Sequence, residues 1–228
     1  MKISRAWLRA GAGVAAAGAL FVGVVGYAHT PAGRWMLRYL PGMRCPIGAD
    51  RALTADERAR AREDALAKFR GESAAKAKPA AGFELGSTTR ADVDAWAHTA
   101  GVRCESGRVR AVEKTCHDVP ATALGADVDA DVANFVFDGR DRLVSINVTR
   151  NRLDAERAAS FVEARTATFT ALVGAPTKRK GTPSAAYLGA DRLRQVSSEF
   201  AFNDYRAVVT ATHYGGGRVV VREQFQLM

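Results

Sequence analysis

By hydrophobic and polar position the chain falls into three stretches. The first centres on Ala10–Ala28, nineteen residues without a charge. As a helix this run spans roughly 28 Å, close to the hydrocarbon thickness of a bilayer. Lys2, Arg5 and Arg9 precede it; Arg34, Trp35, Arg38 and Tyr39 follow as interfacial anchors do. Residues 1–28 therefore read as a basic n-region and a transmembrane helix. Gly26-Tyr27-Ala28 would also pass as a cleavage site, so two readings stand: an uncleaved signal anchor, favoured by the length of the run, and a secreted protein after signal cleavage.

The second stretch, residues 29–81, is polar and punctuated. Trp35–Leu40 is a short amphipathic patch that Pro41-Gly42 closes. Thr54-x-x-Glu57 is a capping box and predicts a helix from Ala55 to about Phe69. Its apolar face is only Ala59, Leu66 and Phe69, which fits a solvated spacer. Gly71 to Gly82 reads as a flexible linker.

The third stretch, 82–228, alternates two periods. Phe83-Glu84-Leu85 is a short strand, and Thr89 with Asp92 caps a helix whose apolar positions are Val93, Trp96, Ala97 and Ala100. Val102–Cys104 and Val109–Cys116 read as strands, then Phe135–Phe137 and Leu143–Thr149 as a hairpin around Asp138-Gly139. Asp154 opens a long helix to Val173 with Ala158, Phe161, Val162, Phe169 and Leu172 inward; Gly174 and Pro176 end it. Lys178–Gly181 reads as a basic loop. Strands over Leu193–Phe202, Tyr205–His213 and Arg218–Leu227 finish the chain. Helix then strands, twice, predicts an α+β domain. Its antiparallel sheet carries both helices on one face and leaves Thr210, Thr212 and Arg222 on the other.

Charge changes the picture only when divided by segment. The formal net charge is +9. Residues 1–51 carry +6 of it, 52–81 carry +2 and 82–228 carry +1. The basicity lies beside the membrane run, which suits anionic lipid headgroups and argues against nucleic acid, whose binders need a basic face on the domain. With the cysteine usage, this predicts an inner-membrane protein of a single pass with residues 82–228 in the periplasm.

There are three cysteines. Cys104 and Cys116 sit on neighbouring predicted strands and read first as a disulfide; free or differently paired thiols and metal binding with His98 and His117 stay open. Cys45 is left over and suggests an intermolecular bond or a free thiol. Gly11, Ala15, Ala19 and Gly23 form a small-residue stripe that lets two membrane helices approach, so a homodimer joined at Cys45 is an expectation. Asp127, Asp129 and Asp131 read as a solvated acidic loop, and His213 with Asp204 as a polar pair across the last hairpin. No catalytic, cofactor or metal motif is present.

Gly86-Ser87-Thr88-Thr89-x-x-Asp92-Val93 resembles the helix start of the outer-membrane assembly lipoproteins of the SmpA/OmlA (BamE) type. Leu172-Val173-Gly174-Ala175-Pro176 resembles their helix end, and Phe135–Gly139 their strand-turn. The doubled layout is similar to the tandem repeat of the β-lactamase inhibitor protein. The resemblance implies a small α/β scaffold that binds other proteins. The sequence thus predicts a non-catalytic, membrane-anchored module of the cell envelope with a protein partner. The alternative is a small-ligand or lipid-binding periplasmic domain.

Overall fold

The computed structural model describes residues 54–107, 112–190 and 193–228. The expected transmembrane run 10–28, its small-residue stripe and Cys45 lie outside these residues. Among the described residues no helix is long and apolar enough to cross a membrane. The chain divides into two compact units, Met1–Arg58 and Ala59–Met228. Of the first, only residues 54–58 are described; there the Glu57 N–H donates to Thr54 Oγ1 at 3.2 Å and opens helix α1, Ala55–Ala67. Everything below concerns the second unit.

It is an α+β domain built on an eight-stranded antiparallel sheet. A two-residue hairpin comes first, β1 (Pro79–Ala80) with β2 (Phe83–Glu84). Helix α2 (Arg90–Thr99) leads into β3 (Arg103–Ser106), β4 (Glu113–Val119), β5 (Ala130–Phe137) and β6 (Leu143–Leu153). Helix α3 (Ala155–Val173) leads into β7 (Lys178–Lys180), the short α4 (Ala185–Leu188), β8 (Arg194–Ala201), β9 (Tyr205–His213) and β10 (Val219–Leu227). The sheet order is β3-β4-β5-β6-β10-β9-β8-β7. Each half is a helix followed by four strands, and the last strand of each half, β6 or β10, meets the other at the centre.

The register explains where the core sits. Phe135, Ile146, Phe225, Ala207 and Phe200 stand opposite one another across five strands and so share a face. Trp96 of α2 packs on Phe135 with centroids 5.5 Å apart, and Phe83 joins at 5.4 Å. Phe169 of α3 packs between Phe225 at 5.4 Å and Phe200 at 5.8 Å. Both long helices therefore cover the same side. Each fully buried Phe stabilises by about 2–3 kcal/mol relative to exposure, so this row holds the two halves together. The helix starts follow from their caps: Thr89 and Asp92 exchange bonds at α2, and Asp154 accepts from the Arg157 N–H at α3.

Several expectations change. The stretch from Gly71 is docked, not a free linker: Asn203 N–H donates to the Ser73 carbonyl at 2.9 Å and Ala75 N–H to Asp204 Oδ1 at 2.9 Å. Lys78 pairs with Asp204 at 2.9 Å, the Tyr205 hydroxyl donates to the Pro79 carbonyl, and Ala80 and Ala81 are buried. Lys178–Lys180 is an edge strand, because its backbone pairs with Ser197–Glu199. Leu172 is 51% exposed; Arg165 and Thr166 occupy the inward stripe instead. The acidic loop is partly built into the sheet: Asp131 is the second residue of β5 and accepts from the Asn151 N–H, and Asp129 accepts from the Ala121 N–H.

Candidate functional site

Under α3 the inner face of the sheet carries a buried ion cluster. Glu223 is 0% exposed and stands in phase with Phe225 on β10. Its Oε2 accepts from Arg150 Nη1 and its Oε1 from Arg165 Nε, each at 2.6 Å. Arg150 also donates to the Val128 carbonyl and Arg165 to the Gly125 carbonyl. The two guanidinium groups lie over the Phe161 and Phe169 rings at 4.3 and 5.1 Å. Two cations share one anion here, with Glu223 and Arg150 out of solvent and Arg165 nearly so. Such a group positions α3 on the sheet.

A cleft of about 480 Å³ opens between α3 and the β7–β8 edge. Small side chains make it: Ala167, Thr170 and Ala171 on the helix, Val196 and Ser198 on β8, and Gly181 beyond β7. Ser198 Oγ lies 3.0 Å from Thr166 Oγ1, which donates to the Val162 carbonyl. The lining carries one acid, Glu163, and one base, Arg179. Gly181 has φ +70, and a Cβ there would come within 2.5 Å of the Gln195 carbonyl oxygen, so the turn after β7 needs glycine.

The other side of the sheet is the second candidate surface. Two cross-strand rows define it. One is Thr115, Asn134, Asn147, Gln224, Val208 and Glu199; the next is His117, Val132, Thr149, Arg222, Thr210 and Ser197. Apart from Val132 and Val208 these are hydrogen-bonding side chains, with Arg222 and Gln224 exposed. Helices α2 and α3 pack on the opposite side, through Trp96 on Phe135 and Phe169 on Phe200 and Phe225. Asn147 Oδ1 is buried there without a hydrogen-bond partner among the described residues. Near its border Arg206 pairs with Glu199 at 2.7 Å and lies 4.7 Å from the centre of the Phe69 ring.

The structure brings one expected pair together. Cys104 and Cys116 face each other in register with Cα atoms 4.0 Å apart and sulfurs at bonding distance. Cys116 is buried on the helix side, so His117 next to it belongs to the opposite face, and His98 is exposed on α2. These four do not converge; among the described residues no three His, Cys, Asp or Glu side chains are placed to hold a metal ion. His213 and Asp204 do not pair either, since they lie at opposite ends of β9. His213 Nδ1 meets the Ala190 carbonyl at 3.0 Å. Burial would raise the Asp204 carboxyl, but the Ala75 N–H and Lys78 hold it below its usual range. Burial, with Arg90 beside it, lowers Lys114, which pairs with Asp94 of α2. Burial pushes the Tyr205 phenol up.

Arg150, Arg165 and Glu223 escape a reading based on apolar periodicity alone. The signal was in phase: Arg165 lies midway between Phe161 and Phe169 at helical spacing, Arg150 continues Ile146 and Val148, and Glu223 separates Val221 from Phe225. Opposite charges at inward positions of three elements point to a buried pairing.

No family model, no curated protein and no solved structure matches this chain.

Proposed function

We propose that this chain is a non-catalytic interaction module of the bacterial cell envelope, anchored in the inner membrane through residues 10–28 with its folded domain in the periplasm. The observation that carries the reading is the polar outer side of the eight-stranded sheet. Strands lie about 4.8 Å apart, so eight of them span roughly 35 Å, and the longest, β6 with 11 residues, runs for roughly 35 Å. That supplies the about 800 Å² which one partner contributes to a stable protein complex. Its hydrogen-bonding side chains suit the mixed chemistry of a non-obligate interface. The occupant is a folded envelope protein. The Cys104–Cys116 pairing suits an oxidising compartment, and the resemblance to protein-binding α/β scaffolds points the same way.

The test is photo-crosslinking in intact cells. A crosslinking residue at Arg222 is expected to capture one defined envelope protein, and one at Glu156 on the exposed side of α3 is not. Equal capture from both positions, or none from Arg222, overturns the reading. A reporter fused behind Met228 that is active only in the cytosol would remove the envelope assignment.

A second reading, a small-ligand or lipid-binding periplasmic domain, is favoured by the cleft of about 480 Å³, a size within the range of ligand sites. Native mass spectrometry that finds a co-purifying lipid or metabolite, lost on Ala167→Trp, would select it.

A further inference from the structure

The edge strand β7 borders the outer sheet face on one side and the cleft under α3 on the other. Strand β7 ends the sheet; among the described residues β8 is its only strand neighbour. Lys178, Arg179 and Lys180 are all exposed. In register with Glu199 and Ser197, Lys178 and Lys180 belong to the outer side. Arg179, opposite Ser198, belongs to the helix side and lines the cleft. The outward edge of β7 is thus a row of backbone donors and acceptors with cations on one side. On its other side is the cleft, walled by Ala167, Thr170 and Ala171. Across the cleft from those small side chains stand Val196 and Ser198 of β8, and Arg179 of β7 is part of its lining.

We propose that this edge binds an extended segment of a partner protein as a ninth strand, and that the segment alternates acidic with apolar residues. Period-two alternation follows from the geometry. A strand paired to β7 directs alternate side chains to opposite sides. Those beside Lys178 and Lys180 meet positive charge, and opposite charges across strands attract. Those between them turn towards α3 and enter the cleft, where small apolar groups fit beside the Arg179 stem. Main-chain pairing supplies affinity and the cleft supplies selection, as in other strand-addition sites. The competing explanation is that three basic residues on an edge strand only discourage pairing. The cleft on the helix side is what that explanation leaves unaccounted for.

The experiment uses the full chain in detergent micelles and a fluorescent, end-blocked peptide, Glu-Val-Glu-Val-Glu-Val-Glu, followed by anisotropy. Saturable binding is expected. It falls at least tenfold in K178E/K180E and at least tenfold in A167W, which fills the cleft without changing the charge of β7. It is lost for the same peptide N-methylated at alternate residues along one edge, chosen in both phases, because one phase removes the pairing donors. Absence of binding overturns the proposal. So does binding that depends on salt and on Lys178 and Lys180 but ignores N-methylation and A167W, which would be charge attraction alone. Binding of a Lys-Val peptide with equal strength overturns the acidic preference. The peptide titration does not depend on compartment or on the Arg222 crosslink, so failure of either leaves the other standing.

Discussion

Replacing Glu223 by Gln removes the single anion between two buried guanidinium groups. Glu223 is 0% exposed, Arg150 1% and Arg165 8%, and both contacts are 2.6 Å. A unit pair at 4 Å and an effective dielectric of 20 attracts by about 4 kcal/mol. Deleting one member of a buried pair costs about 3–5 kcal/mol, because the partner's desolvation is no longer offset. Here two cations are left facing each other, so the upper part of that range applies. Domains of this size are stable by about 5–15 kcal/mol, and the loss is a third of that or more. Arg165→Met is the informative contrast. It leaves Arg150 and Glu223 as a one-to-one pair but forfeits the bonds to Glu223 Oε1 and to Gly125 and the contact with Phe169, which is about 2–3 kcal/mol. Urea unfolding of the full chain, followed by fluorescence, reads both. With a slope near 2 kcal/mol per M, Glu223→Gln lowers the midpoint by roughly 2 M and Arg165→Met by about 1–1.5 M. A Gln variant within about 1 kcal/mol of the parent refutes the reasoning, as does Arg165→Met costing more than Glu223→Gln.

Cys116→Ala, or reduction, opens a loop of sequence separation 12; the chain-entropy model gives about 3 kcal/mol, read as a lower urea midpoint that a reductant reproduces in the parent and not in the variant. Gly71→Ala places a Cβ inside the Ala201 carbonyl group and should release the strand-like stretch that follows, seen as faster proteolysis between Lys68 and Lys78. The lowered Asp204 carboxyl sets a pH window. Its folded value lies below the ordinary carboxylate value of about 3.9, so its stabilisation is complete above that and is lost as pH falls through the lowered value. Exchange protection of the Ala75 amide should therefore hold at pH 5 and decline in strong acid, and Asp204→Asn should remove the dependence.

Much of this fold could be read directly from the chain because its strands alternate and its helices are capped. Tyr205–His213 appears with the expected limits, the Thr89–Asp92 box starts α2, and Cys104 faces Cys116. What stayed hidden is where tertiary pairing overrides local character. Lys178–Lys180 has the look of a solvated loop, yet a backbone will pair wherever β8 offers an edge. Leu172 looks inward by its chemistry, but a helix of 19 residues keeps a stripe through Phe161, Arg165 and Phe169, and Leu172 falls outside it. Gly71–Gly82 has linker composition, and beyond its local hairpin with Phe83–Glu84 it is the distant Asn203, Asp204 and Tyr205 that give it something to bind. The cleft was out of reach for the same reason: its walls come from elements far apart in sequence, and none of its residues carries a chemical signature.

The central position of β6 and β10 sets the order in which the molecule can be completed. While only the first half has emerged from synthesis, β6 has one exposed flank and Arg150 has no anion to meet; once α3 follows, Arg165 is a second cation waiting for Glu223. Of the described strands, the one that closes both defects is the last to appear. A ribosome that stops a dozen codons short of Met228 would leave a molecule with two raw edges where there should be a seam, and proteases would meet it as an open half-sheet.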